Sequence, residues 1–450
     1  MKFSSFGLAP EILKALDKCG YKKMTPVQEQ TMAMARKGKD LMVNAQTGTG
    51  KTAAFALPIL QKLVEKSLNT LHVSKAPKAL ILSPTRELAE QLAESIGRYA
   101  EFLSIKIVAV YGGVKVSGQA SKLKTGLDIL IATPARLLEH IELNNVSLSQ
   151  VEYLVLDEAD RMLDMGFITD VNKIIGHTAE KHQTLLFSAT TTPALNELSH
   201  KLLKNQQEIR ISKRNTTAET VEHVMYAVEE SRKIDLFMAL LDEYNWYQVL
   251  VFTSTKRQAD ELLDKLKQNK IQAAVCHANR SQGSRRRALS DFKSAKLQVL
   301  IATEVAARGL DIVGLDYVVN YNLPFLAEDY VHRIGRTGRA GHSGHAISFV
   351  SREEEQAVDR IQRLIGSQVK RIRKKGFDVS DREALINTIA QGIKTQRSNK
   401  LSETTIGNKT KASKFKPKRS HSDQINKGKN KTHSTGLKGK NKTKPSKRKK

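Results

Sequence analysis

The eight residues Ala45-Gln46-Thr47-Gly48-Thr49-Gly50-Lys51-Thr52 restrict the fold of this chain more than any other stretch. They lie between an apolar run at 40–44, which reads as a buried strand, and a run at 53–66 with helical periodicity. Glycines let successive backbone N–H groups turn toward one point without Cβ clashes, and the helix N-terminus adds positive potential. Strand, glycine-rich turn and helix in that order predict a phosphate-binding loop. Lys51 then reaches the β- and γ-phosphates, and Thr52 holds Mg²⁺. Ala45 stands where the general pattern has glycine. Such a loop is one βα step of a parallel sheet, so the rest of the chain has to supply further steps of the same kind.

It does so twice. Strands are predicted at 40–44, 79–83, 106–111, 128–132, 151–156, 183–187 and 207–211, with helices between them such as 53–66 and 86–99. Ser212 to Thr217 is polar and aperiodic and reads as a linker. A second alternating block follows, with strands at 221–228, 248–253, 271–276, 297–301, 316–320 and 345–350. Helices are predicted there at 231–243, 255–268, 284–293, 327–333 and 352–365. The resulting division is a lead-in at 1–30, a first α/β domain at 31–211, a linker at 212–220 and a second at 221–368. A basic extension at 369–390 opens with Lys370-Arg371-Ile372-Arg373-Lys374-Lys375, and a Lys-rich tail at 391–450 closes the chain.

Charge bears on the partner. Of the net +28, the last 60 residues carry twenty Lys and Arg against two acidic residues. With bulky apolar residues almost absent there, the tail cannot offset its ordering entropy by burial, and a disordered basic arm for nucleic acid is expected. Cys19 and Cys276 are the only cysteines and lack metal-ligand spacing, so neither a disulfide framework nor a thiolate metal site is expected. No run approaches the roughly 18 apolar residues of a membrane span, and the expectation is a cytoplasmic protein.

A second chemical element ends the strand at 151–156, where Asp157 and Glu158 follow Leu156. Adjacent carboxylates at that point suit a helix cap, or a metal-held phosphate and its attacking water. With a phosphate loop in the same block the second reading gains. Asp157 becomes the Mg²⁺ partner, largely through water, and Glu158 the residue that orients and deprotonates water, so hydrolysis of a nucleoside triphosphate is expected. The second block supplies His332-Arg333-Ile334-Gly335-Arg336-Thr337-Gly338-Arg339, glycine-interleaved arginines suited to charge building on transferred phosphate. Pro84-Thr85-Arg86-Glu87-Leu88 and Thr133-Pro134-Ala135-Arg136 each follow a strand and open a helix, which suits backbone phosphates as well as ordinary caps.

Taken together, these motifs resemble the DEAD-box ATP-dependent RNA helicases, from Phe3 to about residue 375, and within them the bacterial RhlE-type members. The resemblance implies two tandem RecA-like parallel-sheet domains, ATP and Mg²⁺ as ligands, and RNA-stimulated hydrolysis that drives local, non-processive unwinding. Gly20 to Gln28 is similar to the family's Q motif, with Gln28 reading the adenine edge and Phe3 stacking on the base. The phosphate loop, including its Ala45, is the family's own. Pro84, Thr85, Arg86, Gly112, Gly113, Thr133, Pro134 and Arg136 match first-domain RNA motifs, and Thr253, Arg285 and Thr303 match those of the second. Asp157 to Asp160 is the naming motif, Ser188 and Thr190 couple ATP to RNA, and His332 bridges toward the first domain. Asp311 takes the ribose hydroxyl, and Arg336 and Arg339 are the arginine fingers. Ala135 replaces the family's usual Gly, and Glu304 its usual Asp. The implied partner is structured or double-stranded RNA held by its backbone, such as a ribosomal precursor or a substrate of RNA decay. An annealing clamp is the alternative use of the same closure. A DNA translocase would keep the ATPase, but the motif set speaks against it.

Overall fold

The computed structural model describes residues 1–46, 48–67, 76–211, 221–307, 312, 314–338 and 344–377. Among the described residues, fourteen strands fall into two seven-stranded sheets. The first holds β1 (Leu41–Asn44), β2 (Ala79–Leu82), β3 (Ile107–Val110), β4 (Ile129–Ala132), β5 (Tyr153–Leu156), β6 (Gln183–Ser188) and β7 (Gln207–Arg210). The second holds β8 (Val221–Ala227), β9 (Val249–Thr253), β10 (Ala273–Cys276), β11 (Val299–Thr303), β12 (Tyr317–Asn320), β13 (Gly344–Val350) and β14 (Lys370–Ile372). The orders are β3-β4-β2-β5-β6-β1-β7 and β10-β11-β9-β12-β13-β8-β14, so the two sheets repeat one topology strand for strand. Neighbouring strands run parallel throughout, for example β1 against β6 and β12 against β9.

Short apolar strands without polar alternation are what a sheet covered on both faces requires. In β1, Leu41 and Val43 enter one layer with Ile12, Leu16, Phe55 and Leu60, while Met42 enters the opposite layer with Leu80, Leu156 and Met162. The lead-in is part of the first layer. Its helix Pro10–Lys18 buries Ile12, Ala15 and Leu16. The next helix, Pro26–Ala35, starts on a capping box between Thr25 and Gln28 with Pro26 in its first turn. The second sheet is likewise enclosed, by Phe237, Trp246 and Phe349 on one face and by Phe252, Phe292 and Leu300 on the other.

The predicted strands lie within a residue or two of the observed ones, with one omission. The basic extension contains β14, which pairs Lys370 to Ile372 with Val224 to Tyr226. The second domain therefore runs past the expected boundary at 368, and Phe377 still packs beside its core. Three residues at a sheet edge, two of them exposed and cationic, carry no apolar signal; edge strands are commonly blunted in this way. The linker 212–220 and the tail 391–450 lie outside the described residues. No helix among the described residues is long and apolar enough to cross a membrane, and both cysteines are free.

Candidate functional site

Strand order sorts the chemistry. β5, β6 and β1 are neighbours, so the turns after them stand side by side at the carboxyl edge. These turns carry Asp157, Ser188 and the phosphate loop. The loop is stitched to β6 by Ala45 N–H donating to the Ser188 carbonyl at 2.9 Å, and the Thr49 hydroxyl closes it by donating to the Gln46 carbonyl at 2.8 Å. Gly50 has φ +95°, and a Cβ there would lie 2.4 Å from Gln28 Nε2. Glycine is thus favoured by conformation, and a Cβ would also displace the Gln28 amide. Gln28 Nε2 donates to the Gly50 carbonyl at 3.3 Å, and Thr25 N–H donates to Gln28 Oε1 at 2.8 Å. Each end of this amide makes one bond to protein, so Gln28 is a strut on the loop, and a second N–H and a second lone pair are left for an adenine edge. Phe3 is buried, with its ring stacked on that of Tyr21 at 6.4 Å between centroids. Tyr21, at 40% exposure, lines the cleft that Gly48 and Gly50 also line, as does the buried Tyr99.

Lys51 is 7% exposed, and its Nζ has no hydrogen-bond partner among the described residues. A buried ammonium left so calls for an anion. Asp157 is buried beside it. Burial pushes its carboxyl up to about 6 despite the attraction of Lys51, with Glu158 adding repulsion. A desolvated carboxylate near a phosphate cradle is the donor a divalent cation would relieve. Lys51, Thr52 and Asp157 therefore fit a magnesium nucleotide. Glu158 follows in left-handed backbone, φ 54° and ψ 52°, a conformation costing a non-glycine residue about 1–3 kcal/mol. That turn makes it the cap of the helix Ala159–Asp164 and sends its carboxylate to Arg161 Nε at 3.2 Å, both side chains being buried. The cap and the candidate water-orienting residue are thus the same residue.

Asp160 ties the turn after β5 to the turn after β6. Its Oδ2 accepts from Ala189 N–H at 3.1 Å, Thr190 N–H at 3.0 Å and the Thr190 hydroxyl at 2.9 Å. The Ser188 hydroxyl donates to the Thr190 carbonyl at 2.7 Å. Burial opposes the charge on Asp160, but Lys51, His332 and Arg161 outweigh it and hold the carboxyl below its usual value. His332 lies on the helix Ala327–Ile334 of the second domain, so this electrostatic contact crosses between the sheets.

The second sheet completes the cleft. A space of about 630 Å³ is lined by Gly50, Lys51, Thr52, Asp157 and Glu158 among first-domain residues, and by Arg336, Gln282, Arg285 and Arg286 among those of the second. Arg336 is 7% exposed and is held by its own carbonyl, which accepts from Leu315 N–H at 3.1 Å. His332, Arg333 and Arg336 also face Arg161 across a smaller gap. Thr47, Asp311 and Arg339, expected in the same site, lie outside the described residues.

β2, β4 and β3 form the other half of the first sheet, and the turns after them carry the residues expected to meet RNA. A second groove of about 240 Å³ is lined by Pro84, Thr85, Arg86, Gly112, Thr133, Pro134 and Arg136, with Arg285 and Ala278 from the second domain. The Arg86 guanidinium lies flat on the glycine turn: a Cβ on Gly113 would fall 1.9 Å from its Nη1. Arg136 donates to the Val114 carbonyl at 3.0 Å and to Gln119 Oε1 at 2.8 Å, and Gln119 Nε2 donates to the Tyr111 carbonyl at 3.1 Å. Arg285 is turned toward Glu87, 2.9 Å away, with both side chains buried. Thr253 and Thr303 end β9 and β11 as buried side chains and do not line the groove. Glu304, in place of Asp, reaches back to Arg333 Nε at 2.6 Å. Tyr21, Gln119 and Arg161 escaped the sequence reading, because each is marked only by what it touches far along the chain.

Residues 25–198 match the DEAD/DEAH box helicase family model, and residues 232–341 match that of the helicase conserved C-terminal domain. The chain is 41% identical over 380 residues to the DEAD-box ATP-dependent RNA helicase CshA of Streptococcus pneumoniae, spanning 84% of this chain and 71% of that protein. It is 41% identical over 362 residues to the ATP-dependent RNA helicase DeaD of Escherichia coli, spanning 80% of this chain and 56% of that protein. Among solved structures it is similar to S. cerevisiae Dbp5 bound to RNA and ADP BeF3, with TM-score 0.71, 28% identity, and coverage of 87% of this chain and 99% of that one. It is also similar to Mss116p bound to ssRNA and AMP-PNP, with TM-score 0.75, 26% identity, and coverage of 84% and 79%.

Proposed function

The chain belongs to the DEAD-box ATP-dependent RNA helicases, and from that premise we propose how its own residues divide the work. The phosphate loop and Lys51 hold the β- and γ-phosphates of ATP. Thr52 and Asp157 would hold a Mg²⁺ ion, which when bound would supply positive charge to the transferring group. Glu158 orients the attacking water and takes its proton. Arg336, joined by Arg339, meets the negative charge that builds on the leaving oxygens. Asp160 carries the change at the phosphates to Ser188 and Thr190, and His332 carries it to the second domain. Phe3 and the Tyr21 ring stacked on it supply the aromatic surface against which adenine packs, and Gln28 selects the base with the amide hydrogen and lone pair not used by Gly50 and Thr25.

RNA is then held by its backbone along the groove of Arg86, Gly113, Thr133, Pro134 and Arg136, with the ends of β9 and β11 opposite. Contacts of this kind are sequence-tolerant, so structured RNAs such as ribosomal precursors or decay substrates fit equally. The RhlE-type placement and an RNA-binding role for the tail belong to the same proposal. The observation that carries it is one cleft lined both by Lys51 of the first domain, whose Nζ makes no hydrogen bond among the described residues, and by Arg336 of the second. The test is steady-state ATP hydrolysis with added single-stranded RNA, duplex RNA or DNA. Stimulation by RNA but not DNA is expected; equal stimulation by DNA would replace the RNA reading with a DNA translocase.

A further inference from the structure

Three consecutive arginines, Arg285 to Arg287, lie in the N-terminal half of the helix Gln282–Lys293 of the second domain. Successive helical residues point about 100° apart, so the three cannot share one task. Arg285 faces Glu87. Arg286 faces Glu90, one turn further along the first-domain helix Arg86–Tyr99. Its Nε donates to Glu90 Oε2 at 2.9 Å and its Nη2 to Glu90 Oε1, a fork-to-fork pair. The same Nη2 donates to the Tyr111 hydroxyl at 2.6 Å. Tyr111 is buried and immediately precedes the glycine turn Gly112-Gly113, against which Arg86 lies. Burial pushes the Tyr111 hydroxyl up to about 12, and the carboxylate of Glu90 adds to this, so it stays a neutral partner. One guanidinium of the second domain thus grips a helix and a turn that both belong to the proposed RNA groove.

We propose that Arg286 is an interdomain positioning residue: it clamps the second domain onto Glu90 and Tyr111, so that closing the two sheets and setting the glycine turn for RNA are one event. Arg286 borders the wide cleft that also holds Lys51 and Asp157, and it does not line the RNA groove. Its side chain is half exposed and that of Glu90 less so, which makes the clamp strong enough to bias closure and weak enough to open in each cycle. The proposal rests on the reading that hydrolysis needs both sheets around one cleft.

The experiment uses the full chain with Arg286→Glu, Glu90→Arg and the double exchange, and with Tyr111→Phe as a milder variant that removes only one bond. Three quantities are read: the RNA concentration giving half-maximal ATP turnover, the energy transfer between dyes on the two domains, and the affinity for fluorescent ADP. Each charge reversal is expected to raise the half-saturating RNA concentration by about 3- to 10-fold and to lower energy transfer. ADP affinity should stay close to that of the unaltered chain, because the phosphate loop belongs to the first sheet, and turnover should recover as saturating RNA drives closure in place of the clamp. The double exchange should recover both, which a merely structural role would not allow. Reversals without effect, or a loss that the exchange does not restore, overturn the clamp. Absence of RNA-stimulated turnover in the unaltered chain would sink the underlying reading instead, while energy transfer still reports on the clamp.

Discussion

Asp160→Asn is the substitution whose cost can be worked most fully from the geometry. Asp160 is 5% exposed, and its Oδ2 alone receives three donors from Ala189 and Thr190. Its Oδ1 accepts from Arg161 N–H at 3.0 Å. An asparagine has one oxygen and one donor group in the same space. Turned to keep the three bonds on the Ala189 side, it confronts Arg161 N–H with a second donor; turned the other way, it strands three. The cheaper orientation leaves one buried N–H without an acceptor, at about 1–3 kcal/mol. The bonds that survive lose their charge assistance, which roughly halves their strength. A cost of about 3 kcal/mol, or about 100-fold, then falls on the one connection between the carboxylate turn and the Ser188 turn. Lys51, Thr52 and Asp157 are untouched, so magnesium-nucleotide affinity should hold. The number of duplexes separated per ATP hydrolysed should fall by about 100-fold. Displacement of a fluorescent RNA strand, followed beside phosphate release in the same sample, measures that ratio. A folded Asp160→Asn variant that unwinds as much RNA per ATP as the unaltered chain would refute the coupling role.

Glu158→Gln keeps the size of the side chain and removes the base. Fluorescent ATP and RNA should still bind while turnover is lost, and full turnover in that variant would end the assignment. For Asp157 the sign follows from a carboxyl pushed up to about 6 by burial. Below that pH it carries a proton, so magnesium-nucleotide affinity should fall about tenfold per pH unit on acidification. Calorimetric titrations across this range should show the slope, and Asp157→Asn should bind weakly with a flat profile. Gln28→Ala removes the strut on Gly50 and the partner of Thr25 N–H. The preference for ATP over GTP in a competition assay should shrink, and an unchanged preference would leave Gln28 a helix cap.

Much of this site is legible in the sequence because its parts are local. A glycine-rich loop between an apolar strand and a helix has one simple physical reading, and Asp157-Glu158 at the end of β5 gains its meaning from that loop. Strand order then explains why the phosphate loop, Ser188 and Asp157 meet. What escapes the sequence is pairing at long range. Nothing near Arg286 announces Glu90 and Tyr111, and nothing near Gln28 announces Gly50. Phe3 and Tyr21 are both aromatics of the lead-in, and only packing decides that one is buried and the other reaches the cleft. β14 is hidden for a different reason. A covered strand advertises itself by apolar residues, whereas an edge strand of three residues advertises only its charges.

The central claim is that each sheet holds half of one hydrolytic site, and Arg336→Ala tests it most directly. Arg336 comes from the second domain and lines the cleft with Lys51, Asp157 and Glu158. In other nucleotide hydrolases an arginine so placed is worth about 10³–10⁵ in rate. Single-turnover hydrolysis of ATP under saturating RNA is the measurement, with fluorescent ADP binding as the control for the first domain. The account predicts a loss of that order with ADP affinity retained. Hydrolysis at the unaltered rate would contradict it, and would place the whole of the chemistry in the first domain.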